Sequence, residues 1–114
     1  MKHTLSILNQ KESRSLLAKV RDRHTGLKGA EKTAAVYKAL GDPVRLEILG
    51  MLLERRCCKC ELVDALDGAA STITHHLSIL EKGDLIASSK DGKYTLFHLQ
   101  ADEEQVKQWL SGWM

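Results

Sequence analysis

At Gly83-Asp84 the spacing of apolar residues changes, and this change limits the fold more than any other feature of the chain. Before it, apolar residues recur at helical intervals, as in Ile73, Leu77 and Leu80. After it come two strand-like runs, Leu85-Ile86-Ala87-Ser88-Ser89 and Lys93-Tyr94-Thr95-Leu96-Phe97-His98-Leu99, with Lys90-Asp91-Gly92 between them. Asp-Gly between such runs predicts a β-hairpin. Helical spacing then returns in Val106, Trp109, Leu110 and Trp113, opened by Asp102 and Gln105 at capping-box spacing. The chain is a set of helices with one hairpin inserted before the last of them.

The earlier helices have readable ends. Gln10 to His24 places Leu16, Leu17 and Val20 on one face among basic residues. A loop with two glycines, His24 to Gly29, leads to a helix from Ala30 to Leu40, ended by Gly41. Asp42-Pro43 reads as N-cap and first helical residue, because proline's missing N–H is not needed there. The helix that follows, to about Arg56, carries Leu46, Ile48, Leu49, Met51, Leu52 and Leu53 around most of its circumference and is the expected core helix. A short helix from Lys59 to Leu66, a turn at Asp67-Gly68 and a helix from Ser71 to Lys82 complete the set.

A short helix, a tight turn, a second helix and a hairpin make a winged helix-turn-helix. The expected class is mainly α with a β-hairpin wing, in a single domain over 1–114. Its expected parts are a helical arm at 1–29, the helix-turn-helix at 59–82, the wing at 85–99 and a dimerisation helix at 102–113. A length of 114 residues fits one domain, and 4% aromatic residues with a single Pro argue against a β-sandwich.

Charge and cysteine usage narrow the function. The net charge of +2 divides unevenly: residues 1–40 carry +6 and residues 41–114 carry −4. A basic first third suits either a phosphate-facing surface or a solvated helix. No apolar run reaches the roughly 18–20 residues of a membrane span, and the first residues lack a signal-peptide pattern, so a cytoplasmic protein without a membrane partner is expected. The three cysteines all fall within 57–60, where a disulfide framework would spread them. A thioredoxin-like use of the C-x-x-C from Cys57 to Cys60 would want a βαβ setting, and the preceding sequence is helical.

Several motifs resemble the ArsR/SmtB family of metal-responsive repressors. They are Tyr37-Lys-Ala-Leu-Gly-Asp-Pro-Val-Arg-Leu-Glu-Ile-Leu49, Ser71-Thr-Ile-Thr-His-His-Leu77 with Leu80 and Leu85-Ile86, and Cys58-Lys-Cys60-Glu-Leu62. The resemblance covers about 33–99. It implies a homodimeric winged-helix repressor, not an enzyme, released from double-stranded operator DNA by a metal or other thiol-seeking inducer. The chain departs from the family pattern where Ala69 stands for a capping Ser, Asp84 for Gly, Cys57 for Leu and Val63 for a third Cys. Asp84 can keep the turn because Asp tolerates left-handed backbone.

Residue chemistry then nominates sites. On the Ser71 helix, Ile73, Leu77 and Leu80 share one sector, while Ser71, His75 and Ser78, flanked by Thr72 and Thr74, share the opposite one. Short polar side chains there suit base edges and phosphates. His76, near the edge of the apolar sector, is expected to pack. Lys90 and Lys93 flank the hairpin tip and suit phosphate contact. Arg45 is expected either to touch the DNA backbone or to pair with Glu47 or Glu54 at the surface. Val106, Trp109, Leu110 and Trp113 are the expected dimer contact.

Cys57, Cys58 and Cys60 are the expected sensing site, beside Arg55, Arg56 and Lys59, whose charges should favour thiolate. On a continuous helix Cys58 and Cys60 point about 200° apart, whereas Cys57 and Cys60 share a side. Gathering all three around As(III) or Sb(III), the expected inducers, would unwind the helix start and misplace the reading helix. Oxidation or persulfide formation at Cys57 and Cys60, or a Cd, Pb or Zn ion, are the alternative signals. No organic cofactor is expected. A protein-interaction module on the same fold is the competing class.

Overall fold

The computed structural model describes residues 6–112. The chain forms two compact units, Met1–Ala30 and Glu31–Met114. The winged helix-turn-helix lies in the second. The first unit holds α1 (Gln10–Arg23) and a 3-10 turn (Thr25–Gly29). Asn9 closes a capping box: its side chain accepts from the Glu12 N–H at 2.8 Å, and its own N–H donates to Glu12 Oε1 at 3.1 Å. α1 buries no residue, and Leu16 and Leu17 stay 52% and 46% exposed.

The remaining elements are α2 (Ala30–Leu40), α3 (Pro43–Glu54), β1 (Cys57–Cys58), α4 (Lys59–Ala65), α5 (Ala70–Lys82), β2 (Ile86–Asp91), β3 (Tyr94–Leu99) and α6 (Glu103–Leu110). Asp42 caps α3, accepting from the N–H groups of Val44 at 2.8 Å and Arg45 at 3.4 Å, with Pro43 opening the helix as expected. α3 is the core helix: Ile48, Leu49 and Leu52 are buried with Leu62, Ile73, Leu77, Leu80, Phe97 and Val106. α6 lies on α3, and Leu110 faces Gly50 there.

The wing differs from expectation in two ways. It is a three-stranded antiparallel sheet of order β1-β3-β2, not a two-stranded hairpin. Cys57 pairs with Phe97 and Cys58 with Leu96. Two residues carry no alternation, so β1 has no signature in the sequence. The hairpin loop is Gly92-Lys93, closed by the pair Asp91 and Tyr94. Asp91 belongs to the strand because a two-residue loop with positive φ at its first position needs glycine there, and Gly92 has φ +59°.

α6 ends at Leu110 and does not reach Trp113, which lies outside the described residues. Val106 is fully buried in the chain's own core, so it is not a free dimer contact. Trp109 and Leu110 are half-buried against that core. Among the described residues no helix is long and apolar enough to cross a membrane.

α5 ends in a Schellman motif. The Leu85 N–H donates to Leu80 O at 3.1 Å and the Asp84 N–H to Glu81 O at 3.0 Å. Leu80 and Leu85 are both buried, which supplies the apolar contact of that motif. Asp84 holds the left-handed position with φ +59°, as its tolerance predicts, at some cost in backbone energy. Its ion pair to Lys32 is 3.9 Å long and exposed, so it offsets little. Replacing Asp84 by Gly is expected to stabilise the fold by about 0.5–1 kcal/mol, and Asp84→Val to destabilise it, both measured by urea unfolding.

Candidate nucleic-acid interface and thiol site

The helix-turn-helix is α4, the turn at Asp67-Gly68 and α5. Gly68 takes φ +134°, a backbone conformation that side chains disfavour. The turn leaves α5 with Ile73, His76, Leu77, Ile79 and Leu80 buried. Ser71, Thr72, Thr74 and His75 are exposed, and Ser78 is half-buried. The polar sector expected from the sequence is therefore open to solvent. The Thr74 hydroxyl donates to Ala70 O at 2.9 Å and keeps its lone pairs free to accept.

Ala69 is the N-cap of α5 and supplies no side-chain acceptor. The Thr72 and Ile73 N–H groups both turn back to Ala69 O, at 3.0 and 3.1 Å. The exposed first turn thus keeps donors that no side chain occupies, which is the arrangement that receives phosphate oxygens. On the wing, Lys90 Nζ donates to Thr95 Oγ1 at 2.8 Å across the strands. Lys93 Nζ lies 5.3 Å from the centre of the Tyr94 ring. Both ammonium groups are exposed.

Arg45 does neither of the things expected of it. It is only 8% exposed, and its guanidinium is spent inside the molecule. Nε donates to Ala39 O at 3.0 Å, Nη2 to Lys38 O at 2.9 Å, and Nη1 meets His76 Nδ1 at 2.9 Å. The sequence signal for this was its spacing: Arg45 stands four before Leu49 and seven before Leu52, on the buried side of α3. His76 packs as expected and is 9% exposed, with Nε2 4.0 Å from Asp42 Oδ1. Burial works to raise the Asp42 carboxyl. The Val44 and Arg45 N–H groups, with the charge of Arg45 and, when the ring is protonated, that of His76, outweigh it and hold the carboxyl below its ordinary range.

The cysteines are arranged differently from the continuous-helix expectation. Cys57 and Cys58 are extended in β1, so their side chains leave opposite faces of the sheet. Cys58 is the N-cap of α4, and its N–H donates to Glu61 Oε1 at 2.8 Å. Cys60, in the first turn of α4, is joined to Cys58 by a disulfide with the Cα atoms 5.3 Å apart. The thiols brought together are therefore Cys58 and Cys60, not Cys57 and Cys60.

Cys57 is the free thiol, 4% exposed, with its Sγ donating to Arg55 O at 3.5 Å. Burial, then the Glu61 charge, pushes its pKa up against the opposing pull of Arg55, the reverse of the thiolate expected from the neighbouring cations. Among the described residues no group of three or more His, Cys, Asp or Glu side chains is placed to hold a metal ion. The three-thiolate site does not fit this arrangement.

Comparison with known proteins matches residues 42–88 to the family described as bacterial regulatory protein, arsR family. The chain is 40% identical over 73 residues to an uncharacterized HTH-type transcriptional regulator of Methanocaldococcus jannaschii, covering 63% of this chain and 82% of that protein. It is 32% identical over 76 residues to the arsenical resistance operon repressor of Staphylococcus aureus, covering 64% of this chain and 73% of that one. Its fold is similar to the homodimeric winged helix-turn-helix DNA-binding domain of a possible regulator from Mycobacterium bovis. That likeness has a TM-score of 0.65 and 22% identity, over 75% of this chain and 78% of that one.

The uncapped first turn of α5 makes a direct prediction. Ala69→Ser supplies the missing acceptor and is expected to stabilise the fold by about 1 kcal/mol, read as a rise in the urea midpoint at constant slope.

Proposed function

The chain belongs to the ArsR family of bacterial regulatory proteins, and from that premise we propose a homodimeric repressor that reads operator DNA with α5 and the wing. We propose further that a reagent acting on the Cys58 and Cys60 thiols releases it. The family is one of transcriptional regulators, not enzymes. The observation that carries the DNA reading is the division of α5. One side is buried, and the other offers Ser71, Thr72, Thr74 and His75 to solvent beside an uncapped first turn. In this reading the first-turn N–H groups and Lys90 and Lys93 take phosphates, and the side chains of α5 read base edges.

A twofold dimer would present two such helices to an inverted repeat. The homodimeric neighbour supports that assembly. Trp109 and Leu110 of α6, half-buried on the core of the winged unit, are apolar side chains assigned to it in this reading.

The test uses a duplex enriched from a random-sequence library by the wild-type chain, with affinity read by fluorescence anisotropy. His75→Ala is expected to cost about 1–3 kcal/mol on the enriched duplex and little on an unselected one. Lys93→Ala is expected to weaken both alike and to flatten the salt dependence. Unchanged affinity for His75→Ala would remove the α5 face from the reading.

For the inducer, the placement of Cys58 against Cys60 supports thiol oxidation first. Two thiols give up two protons and two electrons to form the S–S bond, while a peroxide is reduced to two waters. The change occurs at the N-cap of the first helix of the helix-turn-helix, so it bears on the seating of α4. As(III) is the second reading, favoured by the arsenical resistance repressor among the relatives. Here Cys58 and Cys60 would be the first two thiols, and Cys57 could join only after β1 leaves β3.

Peroxide is expected to release DNA from the wild type and from Cys57→Ser, and to fail on Cys58→Ser and Cys60→Ser. If the variant with all three cysteines replaced by Ser is still released by peroxide, arsenite and cadmium, the sensing site lies elsewhere.

A further inference from the structure

Arg45 and His76 lie beneath the surface that faces DNA, and they connect it to the rest of the domain. Two of Arg45's acceptors, Lys38 O and Ala39 O, are among the last carbonyls of α2; Lys38 O also accepts from the Gly41 N–H at 3.1 Å. The third is His76 Nδ1, one residue along α5 from His75. A guanidinium only donates and stays protonated, so Nδ1 must carry a lone pair and the ring proton sits on Nε2. That nitrogen faces Asp42 Oδ1 at 4.0 Å. The charged and titratable groups around the ring are Arg45 and Asp42, both from α3, and His75 on α5, whose ring centre is 6.3 Å away.

We infer that Arg45 is a positioning residue for DNA recognition, holding the setting of α5 through the unprotonated Nδ1 of His76, so that proton uptake at that nitrogen lowers DNA affinity. The inference rests on the reading of α5 as the DNA-facing helix. A proton on Nδ1 turns the acceptor into a donor and sets two cations against each other where a hydrogen bond stood. Asp42, ionised at this pH, then draws the imidazolium toward the cap of α3 and away from the guanidinium. His76 is buried on the same side of α5 as Ile73, Leu77 and Leu80, so the ring cannot relax into solvent and the helix moves with it. The adjacent residue is His75, and its placement shifts accordingly.

The sign separates this from general electrostatics. Added positive charge ordinarily strengthens phosphate binding, and protonating the exposed His75 works in that direction. A loss of affinity on acidification therefore reports His76.

The experiment follows the affinity of the full chain for the enriched duplex at constant salt as the pH is lowered from about 8 to about 5.5. The wild type is expected to lose about tenfold, as for one charge-assisted hydrogen bond. His75→Gln is expected to lose at least as much. His76→Gln keeps an acceptor for Arg45 but cannot titrate, and its affinity is expected not to fall on acidification, staying level or rising through His75. Arg45→Lys cannot span three acceptors and is expected to bind weakly at every pH, without a fall on acidification.

A wild-type profile that is flat or rises on acidification overturns the inference, as does a fall that persists in His76→Gln. If His76→Gln does not fold, as judged by circular dichroism, the profile of Arg45→Lys decides in the same way. Failure of the wild type to enrich any duplex is a different result: it removes the DNA reading, and this inference with it.

Discussion

The guanidinium of Arg45 is buried among the last carbonyls of α2, the first turn of α3 and the imidazole on α5, and the placing of α5, the helix proposed to face DNA, depends on it. A cation taken out of water is costly unless its donors are used. Here Nε, Nη1 and Nη2 each find a partner at 2.9 or 3.0 Å. Lys38 O also accepts from the Gly41 N–H at 3.1 Å, whereas Ala39 O takes the Arg45 Nε–H in place of a helical donor, so the cation and the helix terminus meet each other's needs. Asp42 closes the arrangement by capping α3 and facing His76. Three helices are thereby fixed at one polar point, while the apolar contacts of Ile48, Leu49, Ile73 and Leu80 supply the bulk of the attraction without direction.

The cysteine stretch is the second junction. Cys58 pairs with Leu96 of the wing, caps α4 and is bonded to Cys60. A change in thiol state at this residue therefore bears on two elements at once, the wing strand β3 and the first helix of the helix-turn-helix. Cys57 has a separate role. It belongs to the core with Phe97, and its raised pKa suits a small apolar side chain more than a reactive one.

The sequence was most readable where a period or a cap acts over several residues. The helices from Gln10 to Lys82, the return to helix after Asp102 and the exposed sector of α5 all follow from spacing. Asp84 in the left-handed position follows from its chemistry. What could not be read depends on pairing across the chain. β1 exists only because β3 lies beside it, and that pairing replaced a helical Cys57-Cys58 with an extended one and so reversed which thiols meet. Arg45 had the spacing of a buried residue, but its charge argued for the surface. Only the fold brings carbonyl and imidazole acceptors within its reach. Gly92 moved the hairpin loop by one residue because the loop's first position demands positive φ.

The strand order β1-β3-β2 has one more result. β3 is paired on both sides, so the outer edge of β2 is the long edge left bare among the described residues. Such an edge is a template on which another chain's strand can add. Along it stand Ser88, Ser89, Lys90 and Asp91, all exposed, with charge at the tip and no large apolar side chain. The wing can thus keep a row of free backbone donors and acceptors in water at high concentration without wings of different molecules knitting into a continuous sheet.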